Sequence, residues 1–226
     1  MFIGHYAPAL VAAAYPKAPR LGTLFIAAQL ADIAFFAFVL AGVEHMRITP
    51  GLTVMNAMDL YHMPYTHSLG GGIIFAAAFA WAIYYLSRRA AAALIAAAVV
   101  LSHWFVDLLV HAPDLTLLGS PPKMGLGLWN YPIAEMPLEL GLTGAAFGFY
   151  IARTRTKMGE GIGGKTRVPG RPAYWLIGAL LLLQLYNWLG PQPEKFDLSL
   201  PITGLAAFAI LAWLAYRLDA TRSGAR

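Results

Sequence analysis

The chain has 226 residues and a formal net charge of +5, and 59% of its residues are hydrophobic while only 12% are charged. Soluble domains carry about 25% charged residues, so this composition excludes an ordinary soluble domain. The basic residues lie mostly beside apolar segments, where they set membrane orientation, so we expect no nucleic-acid partner. The chain has no cysteine, which leaves histidine and carboxylate as the possible ligands of any metal.

The apolar residues form long blocks that reach the length a helix needs to cross a bilayer. Residues 2–15 are apolar but short, and we expect a short helix there that either spans or re-enters the membrane. Six longer spans are predicted at residues 21–43, 69–87, 90–111, 132–152, 173–189 and 201–216. The sequence therefore predicts an all-α, polytopic transmembrane helix bundle that forms a single integral membrane domain over residues 1–226.

Basic residues are concentrated in four segments that fall on one side of the membrane if the six spans alternate. These segments contain Lys17 and Arg20, Arg88 and Arg89, the loop 153–171, and the tail after residue 216. The positive-inside rule makes that side cytoplasmic. We therefore expect a basic cytoplasmic loop at 153–171 and a cytoplasmic C-terminus, with residues 44–68, 113–131 and 190–200 on the outer side.

The third long span carries His103, Asp107 and His111 at a spacing of four residues, which places their side chains on one helix face. An ionisable side chain near the bilayer centre costs about 2.5–3.5 kcal/mol on insertion scales, so such residues need partners, water or a metal. Two imidazoles on either side of a carboxylate predict a metal site. The alternative is a polar ladder in which Asp107 neutralises a protonated histidine.

The outer end of the second long span contains two further histidines, His62 and His67. Pro64 lies between them and prevents one continuous helix, so a bend is expected there. The hydroxyl groups of Thr66 and Ser68 are candidate caps for the helix that follows.

Three more carboxylates lie inside predicted spans. Asp32 is near the middle of the first long span, and Glu135 and Glu139 are one helical turn apart near the outer end of the fourth. The two glutamates would repel each other unless a metal or a shared proton separates them. The two glutamates, His67 and the third-span motif fall in the outer half of the membrane, and His5 joins them if residues 2–15 cross with their start outside. With Asp32 near mid-membrane, these residues converge on one layer, which predicts one common site.

Nitrogen and oxygen ligands without thiolate favour zinc, with manganese or iron as alternatives. The ligands exceed the needs of one tetrahedral zinc, which favours two or more metals and phosphoester hydrolysis. Glu135, Glu139 and Asp107 are the candidate catalytic residues, because a carboxylate beside a metal can act as general base or acid. His62 is included among the candidate ligands.

The motifs follow one another in the order Gly4-His5, Asp32, His62-x4-His67-Ser68 and Ser102-His103-x3-Asp107. This order resembles the bacterial inner-membrane metal-dependent hydrolases of the YdjM-like family, over the part of the chain from His5 to Glu139. That family is similar to the zinc-dependent phospholipase C and single-strand nuclease group, which binds a three-zinc cluster. The resemblance implies an inner-membrane location, two or three zinc ions and the ligand set His5, Asp32, His67, His103, Asp107, His111 and Glu139.

These features predict a membrane-embedded hydrolase that acts on a lipid or amphiphilic phosphoester from the outer side. One alternative is a zinc amidase resembling alkaline ceramidases, although no histidine follows His111 to complete the second motif of that class. A second alternative is a metal or proton transporter, and a third is haem binding, which leaves Asp107 and the two glutamates unexplained. The last two spans, which carry Gln184 and Asn187 but no ionisable group, are expected to be scaffold.

Overall fold

The computed structural model describes residues 1–156 and 170–223, and this part of the chain is mostly helical. A 3₁₀ turn at Ile3–His5 leads into the first helix. The α-helices are α1 (Tyr6–Ala13), α2 (Leu21–Ala28), α3 (Leu30–Leu40), α4 (Leu69–Ser87), α5 (Ala90–Val110), α6 (Pro132–Arg153), α7 (Arg171–Leu189) and α8 (Ser199–Ala220). The strands are β1 (His45–Ile48), β2 (Met58–His62), β3 (Arg155–Thr156) and β4 (Arg222–Ser223). The predicted all-α class is confirmed at this level.

Three helices of the described chain, α4, α5 and α8, are long and apolar enough to cross a membrane. The α2–α3 pair becomes a fourth candidate if its two helices, which meet at a bend of 55°, count as one broken span. The helices α6 and α7 occupy the positions of two predicted spans but fall short of the same criterion. Polar side chains such as Glu135, Glu139 and Gln184 lower their hydropathy, so the prediction of six spans is supported for three or four segments.

The short N-terminal helix predicted at residues 2–15 is present, and it lies inside the bundle rather than on its surface. Ile3, Tyr6 and Leu10 are all at most 1% exposed and belong to the main apolar core. Helix α1 packs against α2, α5 and α6, so an eight-residue helix that is too short to span holds the centre of the structure. This central position brings the first residues of the chain, including His5, into contact with the long helices.

An antiparallel hairpin of β1 and β2 follows α3, and the sequence patterns did not predict it. The chain leaves β2 at His62 and passes Pro64 in turns before α4 begins at Leu69, which confirms the predicted bend. Ser68 is the N-cap of α4, and its hydroxyl accepts a hydrogen bond from the amide of Gly71 at 3.0 Å. The predicted cap is therefore confirmed at Ser68, whereas Thr66 has a different role that is described below.

Contacts join the described parts of all four basic segments at one end of the bundle. Arg20 pairs with Asp219 at 3.4 Å, and the guanidinium of Arg89 donates to the carbonyl of Pro16 at 3.5 Å. Arg222 donates to the carbonyl of Thr154 at 2.6 Å, which ties the tail to the end of α6. Most of the predicted basic loop, residues 157–169, lies outside the described residues. The described ends of the four basic segments therefore lie near one another at this end of the bundle.

Helices α2 and α8 approach closely at Gly22, which faces the ring of Tyr216. A β-carbon at this position would overlap the ring atoms, so the contact requires glycine. We expect Gly22→Ala to destabilise the protein by about 1–3 kcal/mol, the usual cost of overpacking. The matched control is Gly178→Ala in α7, where a β-carbon meets nothing within 4 Å and alanine improves helix propensity. In thermal unfolding in detergent, we expect a midpoint below that of the wild type for Gly22→Ala and not for Gly178→Ala. Equal midpoints for the two variants would contradict this packing.

Candidate metal centre

The structure brings six of the predicted residues together in one cluster, called here the His/Asp cluster. Its members come from five segments: the 3₁₀ turn, α3, the turn before α4, α5 and the residue that caps the C-terminus of α5. They are His5, Asp32, His67, His103, Asp107 and His111. Within the described chain, two groups of three have ligand atoms that all lie within 4.8 Å of one another: His5, His103 and Asp107, and Asp32, His67 and His103.

Asp107 is the hub of the cluster, because four histidines approach its two oxygens. Its Oδ1 lies 2.9 Å from Nε2 of His5 and 3.4 Å from Nε2 of His111. Its Oδ2 lies 3.0 Å from Nε2 of His103 and 3.7 Å from Nε2 of His67. Two ligands about 2.1 Å from a tetrahedral zinc are about 3.4 Å apart, which fits the contacts of His111 and His67, whereas the shorter contacts of His5 and His103 are hydrogen-bond distances.

A break in the helical backbone places Asp32 in the cluster. The α2–α3 bend occurs at Gln29, which is fully buried and donates its side-chain amide to the carbonyl of Phe2 at 3.3 Å. Asp32 therefore lies in the first turn of α3, 3.3 Å from Nε2 of His67 and 3.6 Å from Nε2 of His103. The same break leaves the carbonyl of Ala28 beside the ring of His103.

The orientation of His103 leaves a lone pair directed at two carboxylates. Its Nδ1 is 2.8 Å from the carbonyl oxygen of Ala28, and a carbonyl can only accept, so Nδ1 carries a hydrogen. In the neutral ring, Nε2 is then an acceptor that faces the oxygens of Asp32 and Asp107 and has no hydrogen-bond partner. Acceptors that face one another in a buried site require either a proton or a metal ion between them.

His67 is oriented in the same way by a two-step hydrogen-bond chain. The hydroxyl of Thr66 donates to Oε2 of Glu44 at 2.6 Å, so Thr66 Oγ1 accepts from Nδ1 of His67 at 2.9 Å. Oε1 of Glu44 accepts the backbone amides of Tyr65 and Thr66, and the glutamate is fully buried. This Glu44–Thr66–His67 chain leaves Nε2 of His67 free to face Asp32 and Asp107.

A third histidine, His111, repeats the arrangement with a carboxylate as its partner. Its Nδ1 lies 2.9 Å from Oδ1 of Asp114, and its Nε2 faces Asp107. Carboxylates therefore lie at both ring nitrogens of His111. The two carboxylates thus favour positive charge at this position. The ring of Trp129 covers His111 with centroids 4.4 Å apart and limits access from that side.

The cluster is closed on most sides and open at one residue. The side chains of its histidines and of Asp107 are at most 4% exposed, whereas that of Asp32 is 25% exposed. With the histidines neutral, the two aspartates carry a charge of −2 in a buried volume, and the N-terminal ammonium of Met1, 3.5 Å from Oδ1 of Asp107, offsets one of these charges. Buried charges of this kind are paired or bind metals, so the remaining negative charge supports a bound cation.

Two predicted ligands are placed elsewhere, and the predicted ligand set is corrected accordingly. His62 is exposed on β2, where its ring lies against that of His45 at 5.5 Å across the hairpin. Both oxygens of Glu139 are taken by hydrogen bonds: Oε1 accepts the amides of Phe2 and Gly4 at 2.6 and 3.0 Å, and Oε2 accepts from Gln184 at 2.7 Å. Glu139 therefore braces the 3₁₀ turn that carries His5.

Glu135 is buried one turn before Glu139 on the same face of α6, and its Oε2 has no hydrogen-bond partner in the described chain. It is the one predicted catalytic glutamate with a free oxygen. Helix α7 contributes the side chain that holds Glu139. Gln184 of α7 is fully buried, donates to Glu139 and accepts from the amide of Ile3 at 3.4 Å.

Sequence reasoning missed the residues that orient the ligands, although signals for some of them existed. Asp114 follows His111 by three residues, and Glu44 is the first carboxylate after the first long apolar block. Gln184 is a polar residue within a run of leucines. The Ala28 carbonyl could not have been found, because it depends on a helix break that no local pattern indicates.

Comparison with known proteins leaves the geometry as the basis for any functional assignment. No protein-family profile, curated protein or solved structure matches this chain.

Proposed function

We propose that this protein is a membrane-embedded, metal-dependent hydrolase whose metal centre is the His/Asp cluster. The single observation that carries the proposal is the orientation of three histidines. His67, His103 and His111 each have Nδ1 beside an acceptor, and each directs Nε2 at an aspartate. Metal-ligating histidines characteristically donate their second ring nitrogen to such an acceptor, which fixes the tautomer and the ring plane.

The donor set fits zinc, with manganese or iron as alternatives, because it consists of imidazole nitrogen and carboxylate oxygen. His103 belongs to both ligand groups, and Asp107 contacts four histidines, so two ions can share these residues. We propose that two ions bind here, and a third ion, as the family resemblance implies, would be compatible with the same hypothesis. Bound metal would supply a Lewis acid for a phosphoryl oxygen and a template for in-line displacement.

Residues in and around the cluster would have separate roles in phosphoester hydrolysis. Asp32 lies on the open side and marks where a substrate would approach. Glu135, with its free Oε2, is the proposed general base: it takes a proton from the attacking water and returns it to the leaving oxygen as the bond from phosphorus breaks, so that the alcohol departs neutral. Glu139 and Gln184 hold the 3₁₀ turn and so position His5.

The proposed substrate is a lipid or other amphiphilic phosphoester, because the cluster lies among helices apolar enough to be in a membrane. A phosphate group would bring negative charge to a centre in which metals exceed the charge of the two aspartates. A ceramidase-like amidase uses the same kind of centre to cleave an amide, and the hydrolysis assay described below distinguishes the two reactions.

Transport of a metal ion is the second candidate, and one observation favours it. The α2–α3 segment is broken at the cluster, and discontinuous helices that present ligands at a break are typical of transporters. The apolar core opposes it along α2, because Leu24, Phe25 and Ala28 fill the stretch between the break and Arg20.

The test of this function is hydrolysis by purified protein in mixed micelles that contain phosphatidic acid, phosphatidylglycerol or ceramide. We expect release of phosphate or headgroup, loss of this activity on chelation and its return with zinc. Asp107→Asn should abolish it, while the control Asp59→Asn, in an exposed hairpin ion pair with Arg47, should not. Cleavage of ceramide alone would identify the protein as an amidase. Metal-loaded protein that cleaves none of these lipids, and instead accumulates zinc inside vesicles, would identify it as a transporter.

The proposed topology has six crossings, with α6 and α7 included, in a bacterial inner membrane with the basic end in the cytoplasm. It places the His/Asp cluster toward the outer side. A phosphatase reporter fused after Arg226 should be inactive, and a fluorescent reporter at the same position should be bright. The opposite pair of signals would invert the scheme, and a second fusion between α5 and α6 should give the reverse result to the first.

A further inference from the structure

An open apolar groove of about 1330 Å³ runs along α1 and is separate from the His/Asp cluster. Its walls are α1, α5 and α6, and its lining extends from Gly4 to Lys17. None of the cluster residues lines it. At 1.5 Å per residue, this part of the chain covers about 20 Å, so the groove is longer than half of the ~30 Å hydrocarbon core.

The two ends of the groove differ in chemistry. At the end near the metal centre, the backbone amide of Gly4 is already bound by Glu139, so no polar group is offered to a ligand there. Along the walls the lining is formed by small and aliphatic side chains such as Ala98 and Leu142. At the other end, Lys17 is exposed, and among the described residues it is the one charged residue that lines the groove.

A second cation lies beside Lys17. The guanidinium of Arg89, the residue that precedes α5, contacts the carbonyl of Pro16 at 3.5 Å, and Pro16 itself lines the groove. The basic end of the bundle therefore offers two positive side chains at the mouth of an apolar channel. Basic pockets between membrane helices bind anionic lipid headgroups, and the apolar channel below provides for the acyl chain.

We propose that this groove binds one anionic phospholipid, with its phosphate at Lys17 and Arg89 and an acyl chain along α1. The volume exceeds that of ordinary small-molecule pockets, about 300–1,000 Å³, which fits a long flexible ligand. Because the cluster is closed off from the groove, this lipid is a bound component of the fold and not the substrate of the metal centre. The proposal does not depend on the hydrolase function, since it uses none of the residues of that site.

The test uses full-length protein reconstituted in nanodiscs of phosphatidylethanolamine with a minority of phosphatidylglycerol, followed by native mass spectrometry after mild detergent release. We expect one retained phosphatidylglycerol per chain. The double variant Lys17→Ala/Arg89→Ala should reduce its retention by at least ~5-fold, since each basic side chain near an anionic surface attracts lipid independently. The matched charge control is Lys195→Ala, an exposed lysine away from the groove.

A second variant tests the channel rather than the charges. Ala98→Phe fills the groove and should remove the retained lipid, whereas Ala78→Phe, on the exposed surface of α4, should not. Equal retention of the zwitterionic lipid, or unchanged retention in both groove variants, would overturn the proposal. Recovery of a lipid-free dimer whose groove is filled by a second copy would overturn it as well.

Discussion

Replacing Asp107 by asparagine should weaken metal binding by more than about 100-fold, beyond the 10–100-fold range typical of residues that only orient ligands. The reason is that Asp107 belongs to one of the two ligand groups and contacts His67 and His103 of the other. The measurement is a competition titration with a chromophoric zinc chelator on purified protein.

The control for this experiment is Asp59→Asn, which removes a carboxylate of the exposed hairpin and should leave zinc affinity unchanged. Removal of one buried charge from a metal-free cluster would instead relieve repulsion between the two aspartates. A variant with unchanged affinity, or a wild-type protein that binds no zinc, would show that the cluster is a polar ladder of histidines and carboxylates.

The second large effect is expected at the Glu44–Thr66–His67 chain, which touches no metal. Thr66→Val removes the hydroxyl that accepts from His67 and donates to Glu44, and should weaken zinc binding about 10–100-fold. Thr66→Ser keeps the hydroxyl and should bind zinc like the wild type. Equal affinities for the valine and serine variants would contradict an orienting role for Thr66.

Glu44→Gln provides a sharper form of the same test, because it preserves shape and changes only the direction of the hydrogen bonds. The glutamine amide donates to Thr66, whose hydroxyl can then donate to Nδ1 of His67. This moves the ring hydrogen to Nε2, the nitrogen proposed to bind metal. We expect weaker zinc binding together with the other histidine tautomer in nitrogen NMR spectra; an unchanged tautomer would contradict the direction assigned to the chain.

The residues that the sequence identified share one property, which is that they are ionisable in segments that should be apolar. His103, Asp107 and His111 could be grouped from their four-residue spacing alone, because helical periodicity is local. His5, Asp32 and His67 were added by their depth in the predicted spans. All six lie in the cluster, although the sequence could not determine which oxygen faces which nitrogen.

The remaining features depend on contacts between distant segments, which local patterns do not encode. His62 and His67 have the same residue type five positions apart, yet the hairpin directs His62 outward and the turn directs His67 inward. The family resemblance implied Glu139 as a ligand, but two backbone amides of the N-terminal turn donate hydrogen bonds to one of its oxygens. The same turn explains why a helix too short to span lies at the centre of the fold.

The number of membrane spans predicted from the sequence is larger than the number that the hydropathy of the observed helices supports. Glu135 and Glu139 face the N-terminal turn, and Gln184 of α7 contacts the same turn, so these helices carry polar residues in their interior. These polar residues make packing contacts beside the His/Asp cluster, and they lower the hydropathy of the two helices. A criterion based on hydropathy then recognises α4, α5, α8 and the broken α2–α3 pair.

The central claim is that the His/Asp cluster binds metal, and metal content measures it most directly. Protein without a polyhistidine tag should be purified in detergent without chelator and analysed by inductively coupled plasma mass spectrometry. The proposed centre predicts at least one zinc, manganese or iron ion per chain, with Asp107→Asn carrying less than about a tenth of that amount. A wild-type protein that contains no metal and takes up none on addition of zinc would contradict it.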